Sequence, residues 1–196
     1  MDIEKTVESL QQKGYEVQHI KTGPEALEKI KEIIPPGASV MNGSSATLSQ
    51  IGFLDLLKGG NHGWRDLHAL VTAESDKAKR DKLRQQMVHS DYYLGSVHAL
   101  IENGEFILAS NSGSQLPHIV FTSPNLVFVV STKKIVANFD EGMKRLIEHV
   151  LPLEEKQMKE LYNAKTAPNK VLIFKGEKVG STRKITFILV DEDLGF

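Results

Sequence analysis

The sequence predicts an α/β fold, a mostly parallel sheet with helices on both faces and an added antiparallel hairpin. Three observations predict it. Segments with helical spacing alternate with short apolar runs along most of the chain, the run NLVFVV is continuous as in a strand buried on both faces, and Asn103-Gly104 stands between two strand patterns.

Taken in order, Asp2 is placed to cap a helix whose apolar positions Ile3, Val7 and Leu10 share a face, and Gly14 is placed to end it. Tyr15 to Ile20 alternates like a strand. Gly23 and Pro24 then open a second helix with Leu27, Ile30 and Ile34 inward, stopped by Pro35, Pro36 and Gly37. Ala38 to Met41 reads as a strand feeding the polar loop Asn42 to Thr47, after which helical spacing resumes through Leu48 and Ile51. From Phe53 to Leu70 the signals are mixed, and the stretch stays open. Ser75 to Val88 is a charged, largely solvated helix with Leu83 and Met87 facing in.

Tyr93 to Ile101 and Glu105 to Ser110 form the predicted hairpin, with a type I′ turn at Asn103-Gly104 because both residues tolerate positive φ. A brief helix is predicted over Gln115 to Phe121, a buried strand over Leu126 to Ser131, and a helix over Phe139 to Val150. The stripe of that helix is Phe139, Met143, Leu146, Ile147 and Val150, and Pro152 ends it. Another helix runs from about Glu154 to Ala164. Two apolar runs follow, Val171 to Phe174 and Ile185 to Val190.

Composition bounds the function. The 196 residues fit one domain, 1–196, with 1–36 as a lead-in belonging to it. Lys and Arg number 24 against 25 Asp and Glu, so no long-range field draws in nucleic acid or an anionic membrane. The chain has no cysteine, which removes thiolate nucleophiles and protein-ligated iron–sulfur clusters. The start MDIEKTVESLQQKG has no apolar run behind a basic segment, and NLVFVV is far too short for a bilayer span. A soluble, cytoplasmic protein is expected.

The strongest candidate for chemistry is the loop Asn42, Gly43, Ser44, Ser45, Ala46, Thr47. A strand feeding small residues into a helix start leaves backbone N–H groups aimed at one point, where an anion is held. The same composition fits a hydroxyl that merely caps the helix. Glu102, just before Asn103 and Gly104, is a carboxylate at a hairpin tip, available as nucleophile or base if a pocket faces it and otherwise a solvated turn residue. Asp91 to Ser96, with Gly95, and Asn111 to Ser114, with Gly113, are further small polar segments that fit either a ligand loop or plain turn chemistry. The seven histidines show neither an i, i+4 helical pair nor HExxH, so no metal and no cofactor is indicated.

Several segments in this order resemble the lactate-utilisation protein C group of the LUD domain family: NGSSATLSQIG at 42–52, DYYLGSVHALIENGE at 91–105, NSGS at 111–114, KKIV at 133–136 and the closing VDEDLGF. The resemblance implies the fold of ribose-phosphate isomerases, glucosamine-phosphate deaminases and CoA transferases, with ligands bound by loops at one sheet edge. It also implies an anion-gripping role for Gly43, Ser44, Ser45 and Thr47. Glu102 falls in a triplet similar to the glutamate motif of CoA transferases, whose carboxylate attacks a thioester. The family is associated with growth on L-lactate, beside iron–sulfur subunits that oxidise lactate to pyruvate. This chain departs from relatives that carry a cysteine cluster before the final strand, having NAKTAPNKVLIFKGEKVGSTRK there.

Three functions stand side by side on this reading. One is an accessory subunit that binds a small anionic metabolite, carboxylate or phosphate ester, beside iron–sulfur partner subunits. A second is a free-standing enzyme of CoA-transferase or sugar-phosphate-isomerase type, using Glu102 or Asp91 with Lys134 as electrostatic partner. A third is a structural assembly protein with a vestigial pocket. The expected ligand set is Asn42, Gly43, Ser44, Ser45, Thr47, Gly95, Ser96, Asn103, Gly113, Ser114 and Lys134, and a homo-oligomer stays open.

Overall fold

The computed structural model describes residues 1–196, the side chains of 161 and 162 apart. Asp2 caps the first helix, α1 (Ile3–Gln12), by accepting from the Lys5 N–H, and Gly14 follows it at φ +82. Strand β1 (Glu16–Ile20) leads to α2 (Gly23–Ile33), opened by a Thr22/Glu25 capping box with Pro24 in its first turn. Strand β2 (Ser39–Asn42) precedes α3 (Ala46–Gln50). The stretch whose sequence signals conflict resolves into α4 (Phe53–Gly59), a two-residue β3 (Arg65–Asp66) and α5 (Leu67–Thr72). Asp76 caps the charged helix α6 (Lys77–Gln86).

The next strands are β4 (Tyr92–Gly95), β5 (Ala99–Ile101), β6 (Phe106–Ser110), β7 (Asn125–Ser131) and β8 (Ile135–Val136). Helices α7 (Phe139–Arg145) and α8 (Leu151–Tyr162) precede the final strands β9 (Lys170–Phe174) and β10 (Lys184–Val190). Six strands form a wholly parallel sheet in the order β1-β10-β7-β4-β2-β3. A second, mixed sheet runs β8-β5-β6-β9.

Strand β7 shows why its sequence is apolar without alternation. Leu126, Phe128 and Val130 pack into the core shared with α1, α5 and the second sheet, while Val127 and Val129 pack on the opposite face with Ala26, Ile30, Leu48 and Phe53. The first core is aromatic at its centre. Phe106 stacks on Phe174 at 4.7 Å and meets Phe128 and Phe187 at 5.2 and 5.7 Å, joining the two sheets.

The hairpin differs from the expected one. Tyr93 to Ile101 is not one strand: β4 belongs to the parallel sheet and β5 to the second. The turn is not type I′ either, because Gly104 takes φ +80 while Asn103 keeps a negative φ. The Gly104 N–H donates to the Ile101 carbonyl at 2.8 Å, and Asn103 Oδ1 accepts from the Glu105 N–H at 2.9 Å. This is a longer loop with one left-handed glycine.

The helix after β8 also departs from expectation. It does not stop at Pro152 but passes through a π-helical turn, Leu146–Val150, into α8, whose first turn tolerates the proline because its missing N–H is not needed there. Phe139 and Ile147, expected inward, are 40% and 55% exposed. Leu146 and Val150 do face the second sheet, with Met143 partly buried beside them, but the remaining inner position belongs to Gly142, where a Cβ would lie 2.7 Å from Ile107 Cδ1. The glycine lets the helix approach closely, which turns the flanking large residues outward. The brief helix predicted over Gln115 to Phe121 is a single π-helical turn at His118–Thr122. No helix among the described residues is long and apolar enough to cross a membrane.

Candidate functional site

Because the six strands are parallel, their carboxyl ends open on one side, where loops gather. The 42–47 loop leaves β2, Gly95 and Ser96 end β4, Lys134 follows β7 on a single 3-10 turn, and residues 194–196 follow β10. Together with the 110–115 loop after β6 they wall a cleft of 590 Å³. Of the expected ligand set, Gly43, Ser44, Ser45, Thr47, Gly95, Ser96, Ser114 and Lys134 line it. An adjoining hollow of 340 Å³ shares Gly43, Ser44, Tyr93, Ser112, Ser114, Gln115 and Met158 with it, and adds Asn42, His68, Arg84 and His118.

Side chains from two distant segments, β4 and the 110–115 loop, meet over Gly43. A Cβ there would sit 2.7 Å from Gln115 Oε1 and 3.0 Å from the Tyr93 hydroxyl, so the position demands glycine for close approach rather than for its φ. The Tyr93 hydroxyl donates to Gln115 Oε1 at 3.2 Å, and Gln115 Nε2 donates to the Ala109 carbonyl at 3.3 Å. Burial pushes the Tyr93 phenol well above its ordinary value, so it stays protonated. Its ring stacks on His118 at 5.3 Å. Burial, helped by His89, pushes His118 down to about 4. Ser45 Oγ accepts from the Leu48 N–H at 3.2 Å, so one hydroxyl of this loop does cap the helix.

Lys134 is 2% exposed. Its Nζ donates to Thr47 Oγ1 at 3.0 Å and to Ser96 Oγ at 3.2 Å, and it takes part in no salt bridge among the described residues. Burial above all, with the Arg145 guanidinium adding to it and Asp193 opposing, brings the amine down to about 7. The chain closes over it at Gly195 (φ +66), where a Cβ would lie 2.8 Å from Nζ and run into the Thr47 hydroxyl. His98 lines the same cleft. Its Nδ1 accepts from the Ala109 N–H at 2.9 Å, which places the proton on Nε2, and burial with the nearby Lys134 and Arg145 holds it neutral at about 3.

The structure does not bring the two candidate catalytic carboxylates to this cleft. Glu102 accepts from the Asp2 N–H at 3.0 Å and from Lys5 Nζ at 2.9 Å, and these bonds hold its carboxyl below the usual glutamate range. It fastens the hairpin tip to the start of α1, and Asn103 stays with it, outside the lining. Asp91 lies before β4, at the amino end of the parallel sheet, where it accepts from the Ser39 N–H and hydroxyl at 2.7 Å each. Those bonds lower its pKa, with the Ser39 hydroxyl contributing most. Gly113, at φ +85, turns the 110–115 loop, with its N–H donating to Ser110 Oγ at 3.0 Å and its α-carbon against the Lys170 side chain. Ser112 and Ser114 on either side reach the cleft while Gly113 does not.

Sequence reasoning assigned no role to His98, Gln115 or Arg145. Each acquires its place through neighbours far away in the chain, and only a buried-lysine neighbourhood, invisible in sequence, distinguishes Arg145 from the other helix cations. No curated protein matches the chain. A solved DUF162-family protein from Deinococcus radiodurans is similar in fold, with a TM-score of 0.60 at 13% identity over 96% of this chain and 95% of that one. The LUD domain family model matches residues 3–190, and with that extent of agreement this protein belongs to the LUD domain family.

Proposed function

We propose that the cleft at the carboxyl ends of β2, β4 and β7 holds a small anionic metabolite, a carboxylate or a phosphate ester. The observation that carries this reading is Lys134: a buried amine without a carboxylate partner among the described residues, opening on a cleft whose lining holds several glycines and hydroxyls together with Glu154. Such a group is costly to bury charged unless a ligand supplies the counter-charge. Ser44, Ser96 and Ser114 add donors without bulk.

As a LUD domain protein resembling the lactate-utilisation protein C group, the chain then serves as an accessory subunit in oxidation of L-lactate to pyruvate. Having no cysteine, it leaves cluster ligation to iron–sulfur partner subunits. Glu102 and Asp91 are engaged in structural bonds elsewhere, which disfavours a CoA-transferase-like or isomerase-like role through them.

Thermal-shift measurements with L-lactate, pyruvate, sugar phosphates and CoA esters test the reading, since a ligand of the native state raises its stability. At least one anion is expected to raise Tm in wild type and to lose that effect in Lys134→Met. A flat response to all of them refutes anion binding.

A further inference from the structure

We propose that Lys134 is a carbonyl-reactive amine that condenses with a keto acid bound in the cleft, forming a Schiff base. The proposal rests on the reading of this cleft as a site for a small carboxylate.

The hydrogen bonds at Nζ fit a neutral amine. A neutral amine has two N–H groups and one lone pair, and here two hydroxyl oxygens accept, Thr47 Oγ1 at 3.0 Å and Ser96 Oγ at 3.2 Å. An ammonium would hold a third proton with no protein acceptor among the described residues. The surroundings disfavour that proton: the amine is buried, the neighbouring Arg145 guanidinium repels positive charge, and the opposing Asp193 is exposed and forms no salt bridge with it. Desolvation beside a second cation is a recognised way to make a lysine nucleophilic near neutral pH.

The other groups fit the remaining steps. The Nζ lone pair attacks the carbonyl carbon, the C=O π pair moves to oxygen, and a proton passes from nitrogen to that oxygen, giving a carbinolamine. The hydroxyl then leaves with a proton as water, and the nitrogen lone pair forms the C=N bond. No oxidant or reductant is involved: amine and ketone give imine and water. Ser96 Oγ, accepting from Nζ, keeps its own proton to donate to the departing oxygen, and His98, with its proton on Nε2, lines the same cleft.

Ser45 Oγ, whose acceptor side is used by the Leu48 N–H, likewise keeps a proton for the ligand carboxylate. That carboxylate supplies the negative charge needed in a buried site by the iminium that forms as the hydroxyl departs, before its N–H proton returns to the group that protonated the leaving oxygen. Ser45 shares one short loop with Thr47, so a carboxylate it holds lies close to the carbonyl, which selects the α-keto acid class. The 590 Å³ of the cleft admits substituents longer than a methyl group. Glycine at 195 keeps side-chain bulk off the amine.

The test is reductive trapping. Wild-type protein is incubated with pyruvate or 2-oxobutyrate, sodium borohydride is added, and intact mass and peptide fragmentation are read. The expected product gains one keto acid less one water plus two hydrogens, at Lys134 and not at the adjacent exposed Lys133, and it is lost in Lys134→Arg, which keeps a cation but forms no imine. Modification at Lys133 instead, or an undiminished adduct in Lys134→Arg, overturns the proposal. If Lys134→Arg does not fold, the site of modification in wild type decides alone.

Absence of an adduct while either keto acid still raises Tm overturns the Schiff base and leaves anion binding standing. Absence of both an adduct and a Tm response to any anion removes both.

Discussion

Replacing Lys134 with methionine removes an amine that folding transfers from water, where its pKa is 10.5, to a site where it falls to about 7. Because the folded value is lower, the unfolded chain binds more protons across the window from about 7 to 10.5, and wild-type stability must rise with pH there. Below the window both states carry the proton and the full cost is present; above it both are neutral and the cost is gone. At about 1.4 kcal/mol per unit, and with half the folded amines already neutral at the start, the gain between about pH 7 and pH 9 is about 2 kcal/mol.

The methionine variant lacks this contribution while sharing every other titrating group. The quantity to measure is therefore the wild-type minus variant difference in unfolding free energy, from urea titrations at both pH values. A difference that moves toward wild type by about 2 kcal/mol is expected. One that stays flat to within about 0.5 kcal/mol refutes the buried-amine reasoning, because the lysine would then titrate alike in both states.

Other outcomes follow from the same geometry. Glu102→Gln removes the charge that Lys5 and the Asp2 N–H hold, so Tm should fall while any ligand-induced Tm shift is unchanged; a lost ligand response would restore Glu102 to the site. Since the folded glutamate has a lowered pKa, its stabilisation is present above the ordinary value of 4.5 and vanishes as pH drops through the folded one, so the two proteins should converge in acid. Gly142→Val forces carbon against Ile107 Cδ1, within 2.7 Å, and should cost about 1–3 kcal/mol in urea unfolding; a neutral result would mean that α7 does not pack this closely.

Local signals were legible in the sequence where local physics decides. The cap at Asp2, the opening of α2 at Gly23 and Pro24, the left-handed Gly14 and the continuous apolar run of β7 all depend on neighbours within a few residues. The strand, small-residue loop and helix start across 42–47 were legible too, and the Ser45 cap is one of the two uses that composition allowed. Glu102 misled because a carboxylate at a hairpin tip reads as free, whereas its partners lie 97 and 100 residues away.

The stripe on α7 misled for a related reason. Apolar periodicity counts side chains and cannot register a glycine that wins the inner position by bringing backbones together. His98 and Arg145 carry no local mark at all. Their protonation is set by what folds around them.

Thr47 Oγ1 donates to the Leu194 carbonyl at 3.5 Å across 147 positions, and the cleft beside them is complete only once β2 and the final strand β10 both stand in the parallel sheet. A metabolite bound there finds nothing to grip in a half-assembled chain. Its effect on lifetime therefore falls on escape from the native basin: saturating ligand slows opening and leaves the speed of assembly untouched.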